Sequence, residues 1–178
     1  AYNNLGIAQK EKLFFNNALL SFKKAVQLKP NYAEAYNNLG ITLKVLNRFN
    51  EAELFLRQAI KLRSKYDEAY NNLGIVLNDL SNFKEAEENY KQAIILKPDY
   101  SDAYNNLGVT QQNQGRFEEA EASYRQAFKL KPDYIECYDN LLYLTSISNF
   151  DYQRYLKDAN FYIDTIRANI NSRFSTWS

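Results

Sequence analysis

The chain has 178 residues, 46% hydrophobic and 15% aromatic, a composition that suits a folded protein with a sizeable core and excludes a disordered tail. Its 22 Lys+Arg stand against 21 Asp+Glu, without the basic excess that a duplex-binding face requires, so nucleic acid is not an expected partner. The single cysteine, Cys137, cannot build a disulfide framework and suits a reducing compartment, which makes the cytoplasm the expected location.

No apolar run approaches the roughly 20 residues that span a bilayer, and no membrane partner is expected. Ala1 opens inside a repeated unit with no Met before it, so the natural N-terminus, with any signal it carries, is expected to lie upstream.

The stretch AYNNLG at Ala1 returns at Ala35, Ala69 and Ala103, a constant 34-residue period with Cys137 next in the series. Within one unit, Tyr36, Leu39, Gly40 and Leu43 fall at i, i+3, i+4 and i+7, the stripe of a first helix, A, that faces a partner. Asn47 and Arg48 break it, and Ala52, Leu56 and Ala59 mark a second helix, B. Gly6, Gly40, Gly74 and Gly108 each cost about 1 kcal/mol against Ala in a helix interior. Close approach of A to B is expected to offset this, with the small Ala18, Ala52, Ala86 and Ala120 across the seam.

Pro30, Pro98 and Pro132 follow the B helices, where a missing N–H and a fixed φ prevent continuation. Ser64 takes that place in the second linker, and a softer boundary is expected there. Phe15, Phe49, Phe83 and Phe117 at the turn into helix B, and Tyr32, Tyr66, Tyr100 and Tyr134 before each next helix A, read as seam packing. Near the C-terminus the pattern ends, with Leu142, Arg154 and Phe161 in place of the glycine and the two alanines. From Asp151 to about Ile170, Tyr155, Leu156, Ala159, Ile163, Ile166 and Ile170 keep helical spacing, which predicts a longer helix that covers the last apolar face.

Tyr36, Leu39, Gly40, Leu43, Ala52, Leu56, Ala59 and the Lys-Pro boundaries resemble the tetratricopeptide repeat (TPR) pattern over about residues 1–148. The resemblance implies an all-α TPR solenoid of antiparallel helix pairs in a right-handed superhelix, A helices on the concave face, with residues 149–178 as a capping helix and tail.

At about 100° per residue the second asparagine of each pair lies away from the packed stripe, so Asn4, Asn38, Asn72, Asn106 and Asn140 are expected to form a row on the concave wall. An Asn amide both donates and accepts, and can pair with the N–H and C=O of an extended peptide without reading its side chains. Helices packed about 8–10 Å apart would meet roughly every third residue of a chain that advances about 3.3 Å per residue. Two other readings stand beside this one: inherited duplication, and bonds to neighbouring helices. If peptides bind through the row, replacing Asn38, Asn72 and Asn106 by Ala is expected to weaken binding with melting nearly unchanged.

Glu34, Glu68 and Asp102, with Glu136, recur one turn earlier, either favouring the helix N-terminus or serving as secondary peptide contacts. Acidic residues here argue against the Lys, Arg and Asn clamp with which some TPR modules hold a carboxyl-terminal peptide. With no His, one Cys, and glycines inside helices, nothing supplies a His-based catalytic or metal site or a phosphate loop, and neither enzyme chemistry nor a cofactor is expected within these residues.

The Asn row, the segment KPDYIECYDNLLYLTSISNFDYQRYLKDANFYIDTIRANI and the ending RFSTW resemble the last repeats and junction of the O-linked N-acetylglucosamine transferase and SPINDLY family over about residues 129–177. That resemblance implies a substrate-recruiting arm of a glycosyltransferase, with Asn38, Asn72, Asn106 and Asn140 on peptide backbone. The alternative is a stand-alone scaffold. Either way the expected partners are protein or extended peptide segments, with self-association through exposed ends at Tyr2 and Leu5 conceivable.

Overall fold

The computed structural model describes residues 1–147 together with 157, 159–161, 163, 164 and 167. Helices α1 (Tyr2–Glu11), α2 (Phe15–Leu28), α3 (Ala33–Val45), α4 (Phe49–Leu62), α5 (Asp67–Asp79), α6 (Phe83–Leu96), α7 (Ser101–Asn113), α8 (Phe117–Leu130) and α9 (Ile135–Ile147) follow one another, with no strand among the described residues. They fall into two compact units, Ala1–Pro98 and the residues from Asp99 onward.

In the first unit α1 pairs with α2, α3 with α4, and α5 with α6, while α2 leans on α3 and α4 on α5. The A helices α1, α3 and α5 also touch in succession, so they form one face and the B helices the other. The second unit repeats this with α7, α8 and α9. These are the four helix pairs and fifth A helix that the 34-residue period predicts.

Each pair closes on its glycine, but the partner differs from the one expected. Ala18, Ala52, Ala86 and Ala120 are fully buried, yet the group nearest each glycine is a larger side chain one turn further along helix B. A Cβ on Gly74 would lie 2.6 Å from Cε1 of Tyr90, and one on Gly108 2.6 Å from Cε1 of Tyr124. Phe22 and Leu56 fill the same place against Gly6 and Gly40. The helix cost of glycine is thus offset by a large buried side chain seated directly on backbone.

Every complete A helix ends in the same way. The residues after the caps, Leu13, Asn47, Ser81 and Gly115, have φ of 61°, 58°, 60° and 73°. Around Asn47, its N–H donates to Lys44 C=O at 2.9 Å and the next N–H, of Arg48, to Leu43 C=O at 2.9 Å. This is the paired Schellman closure, which satisfies two otherwise orphaned carbonyls.

The boundary at Ser64 is not softer. α4 stops at Leu62 with Arg63 at φ −139°, and α6 stops at Leu96 with Lys97 at φ −139°. The chain has left the helix before it reaches Ser64 or Pro98, and the Arg63 N–H still bonds Ala59 C=O at 2.9 Å. The Arg63 guanidinium also lies 3.9 Å over the Tyr66 ring, fixing the linker from its other end.

In the second unit Cys137, Tyr138, Leu141 and Leu144 of α9 bury against Ala120, Tyr124, Ala127 and Phe128 of α8. Of the predicted capping helix, 157, 159–161, 163, 164 and 167 are helical, and Phe161 meets Phe128 edge-on at 5.9 Å. Arg154, Tyr155, Leu156, Ile166 and Ile170 lie outside the described residues.

Candidate peptide-binding face

The two asparagines of each pair have different environments. Asn3, Asn37, Asn71 and Asn105 are buried, whereas Asn38, Asn72, Asn106 and Asn140 are half-buried and Asn4 is exposed. The two sets are joined across repeats. Asn38 Nδ2 donates to Asn3 Oδ1 at 3.1 Å, Asn72 to Asn37 at 3.0 Å, and Asn140 to Asn105 at 3.2 Å. Bonding to a neighbouring helix, one of the alternatives open from the sequence, is therefore present in both units.

This arrangement changes what the second asparagines can do. One amide hydrogen is committed to the preceding repeat, which fixes the side-chain torsion. Oδ1 and the second hydrogen of Asn38 and of Asn72 have no bond among the described residues. Melting of the Asn38, Asn72 and Asn106 variant is consequently not expected to stay unchanged, because at least Asn38 and Asn72 hold repeats together.

The first asparagine, to which helical spacing alone assigns no role, is the acceptor in these bonds. Its signal was available: the first asparagine repeats as faithfully as the second over Asn3, Asn37, Asn71 and Asn105. Asn37 also bonds the Tyr66 hydroxyl, whose pKa is pushed up to about 12, chiefly by burial and then by the charge of Glu68. A chain of contacts thus runs from Asn72 through Asn37 and Tyr66 to Arg63, which pairs with Glu34.

The acidic series stands at the starts of the A helices. Glu34, Glu68, Asp102 and Glu136 all lie in the first turn of their helices, where the positive end of the dipole favours them. Glu34 is further engaged by Arg63, and Asp102 by the Tyr134 hydroxyl, whose pKa is raised mainly by burial. Lys131 stands over the Tyr134 ring at 4.7 Å, as Lys29 does over Tyr32 at 4.9 Å and Arg63 over Tyr66 at 3.9 Å.

Beside Asn72 the A-helix face of the first unit is hollowed. Ile41, Lys44 and Val45 of α3, Ile75 and Val76 of α5, and Leu56 below enclose a cavity of about 210 Å³ that Asn72 borders. Lys44 Nζ lies 3.6 Å from Asp79 Oδ2. Among the described residues no group of three or more His, Cys, Asp or Glu side chains could hold a metal ion, and no helix is long and apolar enough to cross a membrane.

Paired helices repeated at a fixed period, with amide bonds between successive A helices within each unit, define a helical-repeat protein. The chain belongs to the tetratricopeptide-repeat family: models described as tetratricopeptide repeat match residues 33–65 and 66–133, and one described as TPR repeat matches residues 15–47.

Among solved structures, MamA superimposes with a TM-score of 0.80 at 23% identity, covering 93% of this chain and 96% of its own. PilF of Pseudomonas aeruginosa gives 0.80 at 20% identity over 94% of this chain and 74% of its own. YrrB, described as a TPR protein with an unusual peptide-binding site, gives 0.70 at 20% identity over 99% and 91%. At such identities the likeness establishes the fold alone. No curated protein matches the chain.

Proposed function

We propose that this chain is a protein-interaction module that holds extended polypeptide on its A-helix face, with Asn38 and Asn72 in the first unit and Asn106 and Asn140 in the second bonding the main chain. Asn4 extends the series at its exposed end. The supporting observation is the amide ladder: Asn72 is held by Asn37 at 3.0 Å while its Oδ1 and second hydrogen are left over, one acceptor and one donor. An extended strand offers the matching C=O and N–H. Glu68 and Glu136, exposed at the first turns of α5 and α9, are secondary contacts; Glu34 and Asp102 are already engaged within the chain. That YrrB carries a peptide-binding site on the same fold supports the reading.

The test is fluorescence anisotropy with a labelled, capped, unstructured peptide of Gly, Ser and Leu. Replacing Asn72 by Ala should weaken binding severalfold, and Asn38→Ala with Asn72→Ala further, with helicity retained. Unaltered affinity in the double variant would overturn the proposal.

The finer attribution, a substrate arm of an O-GlcNAc transferase or SPINDLY-type enzyme, rests on the sequence of residues 129–177, and MamA, PilF and YrrB lend it no support. A stand-alone scaffold accounts for the fold equally well. Reading the gene past the codon for Ser178 separates the two: a nucleotide-sugar-binding continuation supports the arm, and an early stop the scaffold.

A further inference from the structure

We infer that the hollow between α3 and α5 receives one aliphatic side chain of an uncharged extended segment whose main chain is held by Asn72; the inference rests on the peptide-binding reading above. Asn72 precedes Ile75 by three residues and Val76 by four, so the amide and the aliphatic wall adjoin on one helix face. Successive side chains of an extended segment point to opposite sides. A peptide bond paired with Asn72 therefore directs a neighbouring side chain into the hollow.

The walls select its chemistry. Ile41, Val45, Ile75 and Val76 present only hydrocarbon, Leu56 forms a fully buried floor, and Val45 leaves 44% of its surface in water for a guest to cover. Among the described residues the cation at the rim is Lys44, which already faces Asp79 at 3.6 Å. A charged side chain entering here would lose hydration and gain no free counter-charge, whereas an aliphatic one gains by leaving water. At about 210 Å³ the hollow is also smaller than the roughly 300–1,000 Å³ of small-molecule sites, which fits one side chain better than a cofactor.

The test is a methyl NMR titration of the whole chain, labelled at Ile, Leu and Val, with four capped heptapeptides of Gly and Ser whose central residue is Leu, Ala, Asp or Lys. The Leu peptide should shift the methyls of Ile41, Val45 and Ile75 and bind about tenfold tighter than the Asp or Lys peptide. Val45→Asp, on the exposed wall, and Ile75→Ser should each abolish that preference, with folding checked by circular dichroism, while Asn72→Ala should weaken all four peptides alike. Four peptides of equal affinity that all weaken with Asn72→Ala would overturn the hollow and leave the main-chain reading intact. A Leu preference unchanged in folded Val45→Asp would also overturn the hollow, and binding by none of the peptides would overturn both.

Discussion

Asn72 Nδ2 donates to Asn37 Oδ1 at 3.0 Å, joining side chains 35 residues apart in sequence on the successive A helices α5 and α3. Asn37 is only 3% exposed and also meets the Tyr66 hydroxyl, so removing it leaves the buried Tyr66 hydroxyl and the half-buried Asn72 amide without their partner. Asn37→Ala should therefore cost about 1–3 kcal/mol in urea unfolding, the penalty of unmet buried groups. Asn72→Ala leaves the buried Asn37 Oδ1 without its donor and should cost a similar amount, about 1–3 kcal/mol. A loss below about 0.5 kcal/mol in either variant would contradict the ladder.

Gly74 faces the Tyr90 ring so closely that a Cβ would come within 2.6 Å of Cε1, and Tyr90 is only 1% exposed. In an open helix Gly→Ala gains about 1 kcal/mol. Here overpacking should reverse the sign, and Gly74→Ala should destabilise by about 1–3 kcal/mol. Tyr90→Ala costs stability by itself, but in that background Gly74→Ala should become neutral or favourable. Differential scanning calorimetry of the four proteins measures this coupling.

The helix pairs were legible because Leu39, Gly40, Ala52 and their equivalents return at one period, and burial on a helix has a period that a single unit reveals. The greater exposure of the second asparagine in each pair was legible for the same reason. Its inter-repeat bond was not, since Asn3 and Asn38 belong to different units and spacing within a unit carries no trace of their contact. The glycine partner escaped because it is spelled Phe22, Leu56, Tyr90 and Tyr124, a conserved volume without a conserved letter. The left-handed turn was hidden in the same way, with only Asn47 and Gly115 of the four residues carrying its usual chemistry.

Leu13 takes φ 61° in its Schellman turn although a Cβ there crowds the following carbonyl, a conformation that costs about 1–2 kcal/mol for most L residues. Its side chain is 71% exposed, so little burial is lost on removal. Leu13→Gly should stabilise by about 1 kcal/mol, part of the gain returning as chain entropy. Gly115→Ala, at φ 73° with open space around the added methyl, should destabilise by a similar amount. Equilibrium urea titrations of both variants check the opposite signs.

Cys137 is fully buried, and that burial, with the charge of Glu136 adding, pushes its thiol from 9.0 up to about 12 against a lowering backbone hydrogen bond at Phe128. The folded state favours the protonated thiol, so its contribution is complete below the unfolded value and is lost as pH rises from about 9 towards 12. Tyr66, raised from 10.0 to about 12, adds a loss of the same sign that begins later. Stability should thus start to fall between pH 9 and 10, and Cys137→Ala should flatten that first part of the curve. A thiol reagent at pH 8 should react with Cys137 only as fast as the fold opens.

Gln111 and Ser123 join α7 to α8 through a bond of 2.7 Å between Ser123 Oγ and Gln111 Oε1, and Gln9 with Ser21 does the same between α1 and α2 at 2.6 Å. At the equivalent positions the second repeat has Leu43 and Phe55, the latter stacked on Tyr36 at 6.1 Å. The third repeat combines Leu77 with Asn89, whose Nδ2 donates instead to Glu85 C=O at 2.8 Å, so a polar side chain on helix B without a partner on helix A turns to its own backbone. Gln111→Leu alone leaves the buried Ser123 hydroxyl without its acceptor and should cost about 1–3 kcal/mol. Adding Ser123→Phe should recover part of that loss, because the new ring can lie on Tyr104 as Phe55 lies on Tyr36. A double-mutant cycle read by urea unfolding measures the coupling, and simple additivity would mean that positions 111 and 123 are energetically independent.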